Sequence, residues 1–264
     1  MSLVENHTGY DPLAWFYNRY WGARFHRQAF PIVERLLLSR IPPGVPLLDL
    51  CCGTGHLTRP LAERGYRMTG IDSSEEMLRF ARENVPAAEF FLLDARGFDF
   101  SPRFQAALST FDSLNHILEI DALAAVFRNV YRALREGGLF LFDLNLEEAY
   151  LREWDKQSAI VEEDHVCIVR GGYDPAARLG RAEITTFRRE EGWRRSDIIL
   201  FQRAHSPEEV QSALEGAGFR GVCRHDAGAE LGMAGEIGVG RAFFLAAKPI
   251  GDSSSYGPEG SGQK

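Results

Sequence analysis

The sequence predicts an α/β fold, a doubly wound and mostly parallel sheet with an N-terminal helical cap and an antiparallel β insertion as lid. Three observations predict it. From residue 46 to residue 145, short apolar runs alternate with segments of helical period, the order that builds a parallel sheet covered on both faces. The first run, "PLLDL", breaks into Gly53-Thr54-Gly55 before a helical pattern begins, a strand–turn–helix suited to holding a nucleotide. Asp49, Asp72 and Asp94 fall at or near the ends of successive runs, and right-handed crossovers bring such ends to one edge, where ligands bind.

Each element follows from its residues. Positions 10–40 are rich in aromatics (Trp15, Phe16, Tyr20) and then carry Ile32, Val33, Leu36 and Leu37, a helical cap closed by the breaker "IPPGVP". The strand at 47–50 leads into a helix near 57–64, with Gly65 in the C-terminal glycine position. "RMTGID" is a second strand, and "SSEEMLRFAREN" a helix for which Ser73 and Glu76 form a capping box. "EFFLLDA" and "FQAALST" are the third and fourth strands. "DALAAVFRNVYRALREGG" is a helix stopped by its double glycine, and "LFLFDLN" a fifth strand.

At about residue 155 the pattern changes. Residues 155–204 read as antiparallel strands with turns at Asp174-Pro175 and Glu191-Gly192, a lid or side sheet within a domain spanning 1–250. Helical alternation resumes at "SPEEVQSALEGAG", with Ser206 as cap, Pro207 at the first helical position and Glu209 at the box position. "RAFFLAAKP" is a last strand. The polar stretch 251–264 is expected to be a disordered tail.

The chain of 264 residues is 45% hydrophobic and 25% charged, with a net charge of −7, an ordinary globular balance that argues against a broad nucleic-acid footprint. Cysteines 51, 52, 167 and 223 show no disulfide framework, and no run of about 18 apolar residues exists to span a bilayer. With no secretory pattern at the N-terminus, a cytoplasmic protein is expected. Histidines and cysteines do not cluster at zinc spacing, so no metal is expected.

The chemistry concentrates at the strand ends. Asp72 lies about twenty residues beyond the glycine turn, the offset at which a carboxylate meets ribose hydroxyls. A dinucleotide site wants G-x-G-x-x-G/A with no acid near the pyrophosphate. Here the third small residue is missing and Asp49 stands beside the turn. No GxxxxGK[ST] is present, which excludes a P-loop. A ligand carrying an ammonium and a sulfonium fits the acid better than a pyrophosphate does, which favours S-adenosylmethionine.

The motifs "LLDLCCGTG", "GIDSSEEML", "FLLDAR", "ALSTFDSLNHI" and "LREGGLFLFDLN", in this order, resemble the class I S-adenosylmethionine-dependent methyltransferases, a Rossmann-like family. The aromatic N-terminal helix, the antiparallel insertion and "GRAFFLAAKP" look most like small-molecule members such as the N-methyltransferases of amino sugars. The resemblance implies S-adenosyl-L-methionine as cofactor, S-adenosyl-L-homocysteine as product and a small-molecule acceptor. It implies that Gly53, Thr54 and Gly55, with Cys51 beside them, approach the methionine part, and that Asp49 bonds its ammonium. Asp72 and Ser73 take the ribose, Met77 packs on adenine, and Asp94, Ala95 and Arg96 line the adenine end. Thr110 and Phe111 face the sulfonium, and Tyr17 closes over the cofactor. His116 follows the fourth strand where relatives vary; it and Tyr17 are the candidates for catalysis, with Tyr150, Trp154 and His205 as further substrate-handling candidates.

Methyl transfer by direct displacement needs alignment and water exclusion, worth roughly 7 to 11 kcal/mol in the best intramolecular analogues. Three other functions stay open. An RNA or protein methyltransferase is disfavoured by the acidic balance and by "STFDSL" where "[DN]PP[YF]" would mark base methylation. A non-catalytic cofactor-binding module and a nicotinamide oxidoreductase remain as alternatives. Arginines 178, 181, 188, 189, 194, 195 and 203 alternate with acids, which suits a solvated hairpin face. No nucleic acid or membrane partner is expected, and the state is monomer or homodimer.

Overall fold

The computed structural model describes residues 9–251. An N-terminal segment runs through α1 (Ala14–Phe16), a π-helical stretch at Tyr17–Trp21 and α2 (Gly22–Leu36). The central region alternates β1 (Pro46–Leu50), α3 (Thr58–Glu63), β2 (Arg67–Asp72), α4 (Glu75–Asn84), β3 (Glu89–Leu92), β4 (Phe104–Ser109), α5 (Ile120–Ala133) and β5 (Leu134–Asn145). After α6 (Glu147–Glu153) come β6 (Gln157–Val161), β7 (His165–Asp174), β8 (Leu179–Arg189) and β9 (Trp193–Arg203). The chain closes with α7 (Pro207–Gly216), β10 (Arg220–Asp226) and β11 (Arg241–Ala247).

Seven strands form one sheet in the order β10-β11-β5-β4-β1-β2-β3, and β6 to β9 form a second, antiparallel sheet. In the large sheet only β11 runs against the rest, paired antiparallel to β5 and β10. Strand alternation explains the two cores. Leu48 and Leu50 point to the face covered by Phe127 and Val130 of α5 and Leu214 of α7. Leu47 points to the opposite face, with Phe25, Val33 and Leu36 of α2 and Leu61 of α3. The sheet therefore holds the carboxyl ends of β1, β2 and β4 at one fixed edge.

The second sheet packs on the N-terminal segment rather than standing alone. Cys167, Ile184 and Ile198 bury against Leu13 and Phe16, and Tyr20 hydrogen-bonds the buried His165, which also bonds Asp164. Both expected hairpin turns are present, between β7 and β8 and between β8 and β9. On the outer face arginines meet acids, as in Arg181–Glu183 and Arg195–Asp197, while Arg188 lies on the inner face over the Trp15 ring.

Two boundaries differ from the sequence expectation. Ser74, not Ser73, caps α4: its hydroxyl accepts from Met77 N at 3.1 Å. The Asp72 carboxylate takes the Ser74 amide at 2.9 Å, which extends the turn by one residue and dissolves the Ser73–Glu76 box. Helix α5 stops at Ala133, with Leu134 already extended, instead of at the glycine pair. Gly137 and Gly138 lie inside β5, where a Cβ on Gly138 would stand 2.7 Å from the Arg135 carbonyl, so only glycine fits that tight passage. The capping box of α7, with Ser206 and Glu209, is as expected. Helix α6 and strand β10 carry no signal read from the sequence. The tail expectation falls on residues 252–264, outside the described residues.

Candidate active site

A cavity of about 500 Å³ opens at the carboxyl ends of β1 to β4, between the N-terminal segment and β9. Its walls divide into two chemically distinct ends. One is formed by Cys51, Gly53, Asp72, Ser73, Met77, Leu93, Asp94, Ala95 and Arg96. The other is formed by Tyr10, Ser113, His116, Ile117, Leu118, Ile199, Leu200 and Phe201, with Tyr17 and Phe111 also on the wall.

At the first end, Asp72 accepts the Gly53 amide on Oδ2 and the Ser74 amide on Oδ1, both at 2.9 Å. The Ser73 amide bonds it too, so the carboxylate stands as an oriented fork. Burial pushes its pKa up, and the backbone N–H groups oppose that rise. Asp94 is gripped by Arg96, whose amide and guanidinium reach it at 2.8 and 2.7 Å. Gly53 has φ +53°, and a Cβ there would meet the Tyr17 ring at 3.4 Å. Cys51 also adopts positive φ, at 57°. Its thiol pKa is pushed well up, by burial first and then by the surrounding acids.

Four expected residues are not on the wall. Asp49 is 2% exposed and accepts the Thr58 hydroxyl at 2.5 Å. Burial raises its pKa to about 7. Gly55 serves packing, since a Cβ there would stand 3.3 Å from Ala81 and Val85 of α4. Thr54 is fully buried, its hydroxyl oxygen without a hydrogen-bond partner among the described residues. Thr110 is buried and its carbonyl accepts from Ser113.

At the second end, Phe111 stacks on Phe25 with centroids 4.2 Å apart and lies 5.8 Å from Tyr17. Phe111 and Asp112 both have positive φ, 66° and 47°, a pair of non-glycine left-handed residues that needs outside support. Asp143 of β5 supplies it, accepting the Phe111 and Asp112 amides at 2.6 and 3.2 Å. Arg241 of β11 bonds both Asp143 and Asp112. Burial lifts the Asp143 pKa to about 6 despite the arginine.

His116 sits at the centre of this wall. Its Nδ1 is 2.8 Å from the Phe201 carbonyl, and its Nε2 is 2.7 Å from the Tyr10 hydroxyl and 3.0 Å from Gln202 Nε2. Burial lowers its pKa. Tyr150, Trp154 and His205 do not reach the cavity: Tyr150 packs on Trp154 and Tyr173, and His205 bonds the Ile117 carbonyl. Tyr10, Asp112, Gln202 and Arg241 went unmarked in the sequence. Gln202 had one signal, a polar residue in the same parity as Ile198 and Leu200 of β9.

Comparison with known proteins bears on the family and the fold. Residues 47–138 match a family model described as a methyltransferase domain. The chain is 30% identical over 190 residues to a Bacillus subtilis (strain 168) protein assigned to the methyltransferases under the name YqeM, covering 69% of this chain and 76% of that one. It is 32% identical over 123 residues to the Streptomyces venezuelae dTDP-3-amino-3,4,6-trideoxy-alpha-D-glucopyranose N,N-dimethyltransferase, spanning 46% of this chain and 51% of that enzyme. In three dimensions it resembles S-adenosylmethionine-bound CalS10, an amino pentose methyltransferase from Micromonospora echinaspora. The TM-score is 0.70 at 22% identity, over 88% of this chain and 96% of that one.

Proposed function

This chain belongs to the class I S-adenosylmethionine-dependent methyltransferases, and on that premise we propose that it methylates the nitrogen of a small-molecule amine. The observation that carries this reading is one cavity with two unlike ends, a carboxylate fork at one and a hydroxyl–imidazole pair at the other. The first end fits the cofactor: Asp72 offers two oriented acceptors for a diol, and Gly53 leaves room for close approach beside Tyr17. Met77, Ala95 and the Asp94–Arg96 pair would hold the adenine. Asp49, Thr54, Gly55 and Thr110 act behind the wall, shaping the turn.

When bound, S-adenosylmethionine supplies the methyl group on a sulfonium, whose departure needs no help from an acid. The protein's share is alignment, exclusion of water and disposal of one proton. Tyr17 and Phe111 close the junction of the two ends. The Tyr10 oxygen takes the proton from the amine nitrogen while the Tyr10 hydroxyl proton passes to His116 Nε2. The named activities of the amino-sugar N,N-dimethyltransferase relatives support nitrogen as the acceptor atom. The 155–204 segment serves as lid over one catalytic domain. The acidic net charge of −7 and the acid-paired lid arginines favour small acceptors over RNA, and free cysteines suit a reducing cytoplasm. Among the described residues no helix is long and apolar enough to cross a membrane.

The test is transfer of labelled methyl from S-adenosylmethionine to a panel of amines, phenols and RNA. Labelling of amines, reduced about 10²-fold or more in His116→Asn, supports the reading. Labelling of RNA or phenols with no amine product would refute it.

A further inference from the structure

We propose that Gln202 is a positioning residue for His116: it fixes which ring nitrogen carries the proton and weakens the basicity of the other. The reasoning begins at Asp112, a carboxylate that can only accept. Gln202 Nε2 lies 2.7 Å from Asp112 Oδ2, so the amide nitrogen, not its oxygen, faces that carboxylate. The oxygen turns the other way and accepts the Tyr150 hydroxyl at 2.9 Å. One amide N–H is spent on Asp112, and the second points at His116 Nε2, 3.0 Å away. A ring nitrogen that accepts carries no proton, which places the proton on Nδ1.

An independent neighbour gives the same answer. The Phe201 carbonyl, 2.8 Å from His116 Nδ1, can only accept, so Nδ1 must donate. The Tyr10 hydroxyl then shares the one Nε2 lone pair with the Gln202 N–H, which leaves the Tyr10 oxygen as an acceptor for an incoming N–H. Asp112 is itself anchored by Arg241, so the tautomer of His116 is set by a chain of partners reaching from β11 through β9 to the cavity.

The same contact has an energetic sign. Protonating Nε2 would set an N–H against the Gln202 N–H, so the amide opposes the imidazolium. The other groups around the ring are Tyr10 from the N-terminal segment and Asp112 from its own loop, whose charge favours the imidazolium. Tyr150 of α6 and Arg241 of β11 stand one contact further back. Removing the amide donor leaves the favouring carboxylate in place and raises the basicity of Nε2.

The experiment uses the full chain labelled with ¹⁵N, with the His116 ring signals identified by their loss in His116→Asn. In the wild type the imidazole shows a protonated Nδ1 and a bare Nε2. In Gln202→Met, which keeps the length of the side chain without a donor, the titration midpoint of His116 rises by roughly one pH unit. A wild-type ring protonated on Nε2, or a midpoint unmoved in Gln202→Met, overturns the proposal; the first of these needs no variant to fold. A kinetic arm rests on the proposed function: the acidic limb of the kcat/KM profile should move up with the midpoint, with S-adenosylhomocysteine affinity unchanged. A moved midpoint with an unmoved limb upholds Gln202's hold on the ring and removes His116 from the methyl-transfer step instead.

Discussion

Replacing Arg241 by Met tests the buried cluster beneath the acceptor wall. The arginine side chain is 5% exposed and bonds Asp143, which is 0% exposed, and Asp112, at 12%. Removing the cation leaves two buried carboxylates facing each other, and breaking a buried pair costs about 3–5 kcal/mol. In a domain of this size that lowers Tm by roughly 6–20 °C at pH 7.5. The pH dependence carries a definite sign. Asp143 already has a folded pKa of about 6, against 3.8 unfolded, and the folded pKa rises further without Arg241. A carboxyl raised in the folded state binds more protons there than in the unfolded chain, so its penalty is absent at acid pH and grows as pH rises through that window. The Tm deficit of Arg241→Met relative to wild type should therefore shrink between pH 7.5 and pH 5, and adding Asp143→Asn should recover much of it at pH 7.5. Thermal unfolding by circular dichroism at both pH values is the assay. A deficit below about 3 °C, or one equal at both pH values, would refute the reasoning, since an uncompensated buried charge must respond to protonation.

Two further outcomes follow from the cofactor end. Asp72→Ala removes both acceptors of the fork, each charge-assisted hydrogen bond being worth about 1.5–3 kcal/mol, so calorimetry should show S-adenosylhomocysteine binding weakened at least about 100-fold. Ser74→Ala loses the cap of α4 and about 1 kcal/mol of stability in urea unfolding, whereas Ser73→Ala, outside the cap, should change stability by less than about 0.5 kcal/mol; the reverse order would return the cap to Ser73.

What was legible in the sequence was whatever depends on neighbours along the chain. The alternation of Leu47 against Leu48 and Leu50 fixed a strand buried on both faces, and Ser206, Pro207 and Glu209 spelled a helix start that the structure reproduces. The Ser73 cap failed because a distant partner decided it: Asp72 also binds Gly53 across the turn, and that bond moves the helix start by one residue. Part of one end of the cavity was readable since Gly53, Asp72 and Asp94 end or closely follow successive strands, and all three lie on its wall. Asp49, although at a strand end, turns to Thr58 inside the layer. The acceptor end was not readable as a whole. His116 stood out, but its partners come from residues 10, 201 and 202, joined only when β9 folds across the cavity.

The position of Arg241 also bears on the order in which the molecule is made. Strand β11 enters between β5 and β10, so the cation that ties Asp112 to Asp143 arrives more than ninety residues after either acid has left the ribosome, as the sequence separations of 129 and 98 record. Until then the left-handed turn at Phe111–Asp112 lacks its guanidinium partner, while the strands that hold Gly53, Asp72 and Asp94 have long been synthesised. During synthesis, then, a nascent chain halted short of residue 241 already holds every residue of the cavity wall, yet lacks the cation that ties Asp112 to Asp143 beneath one end of it.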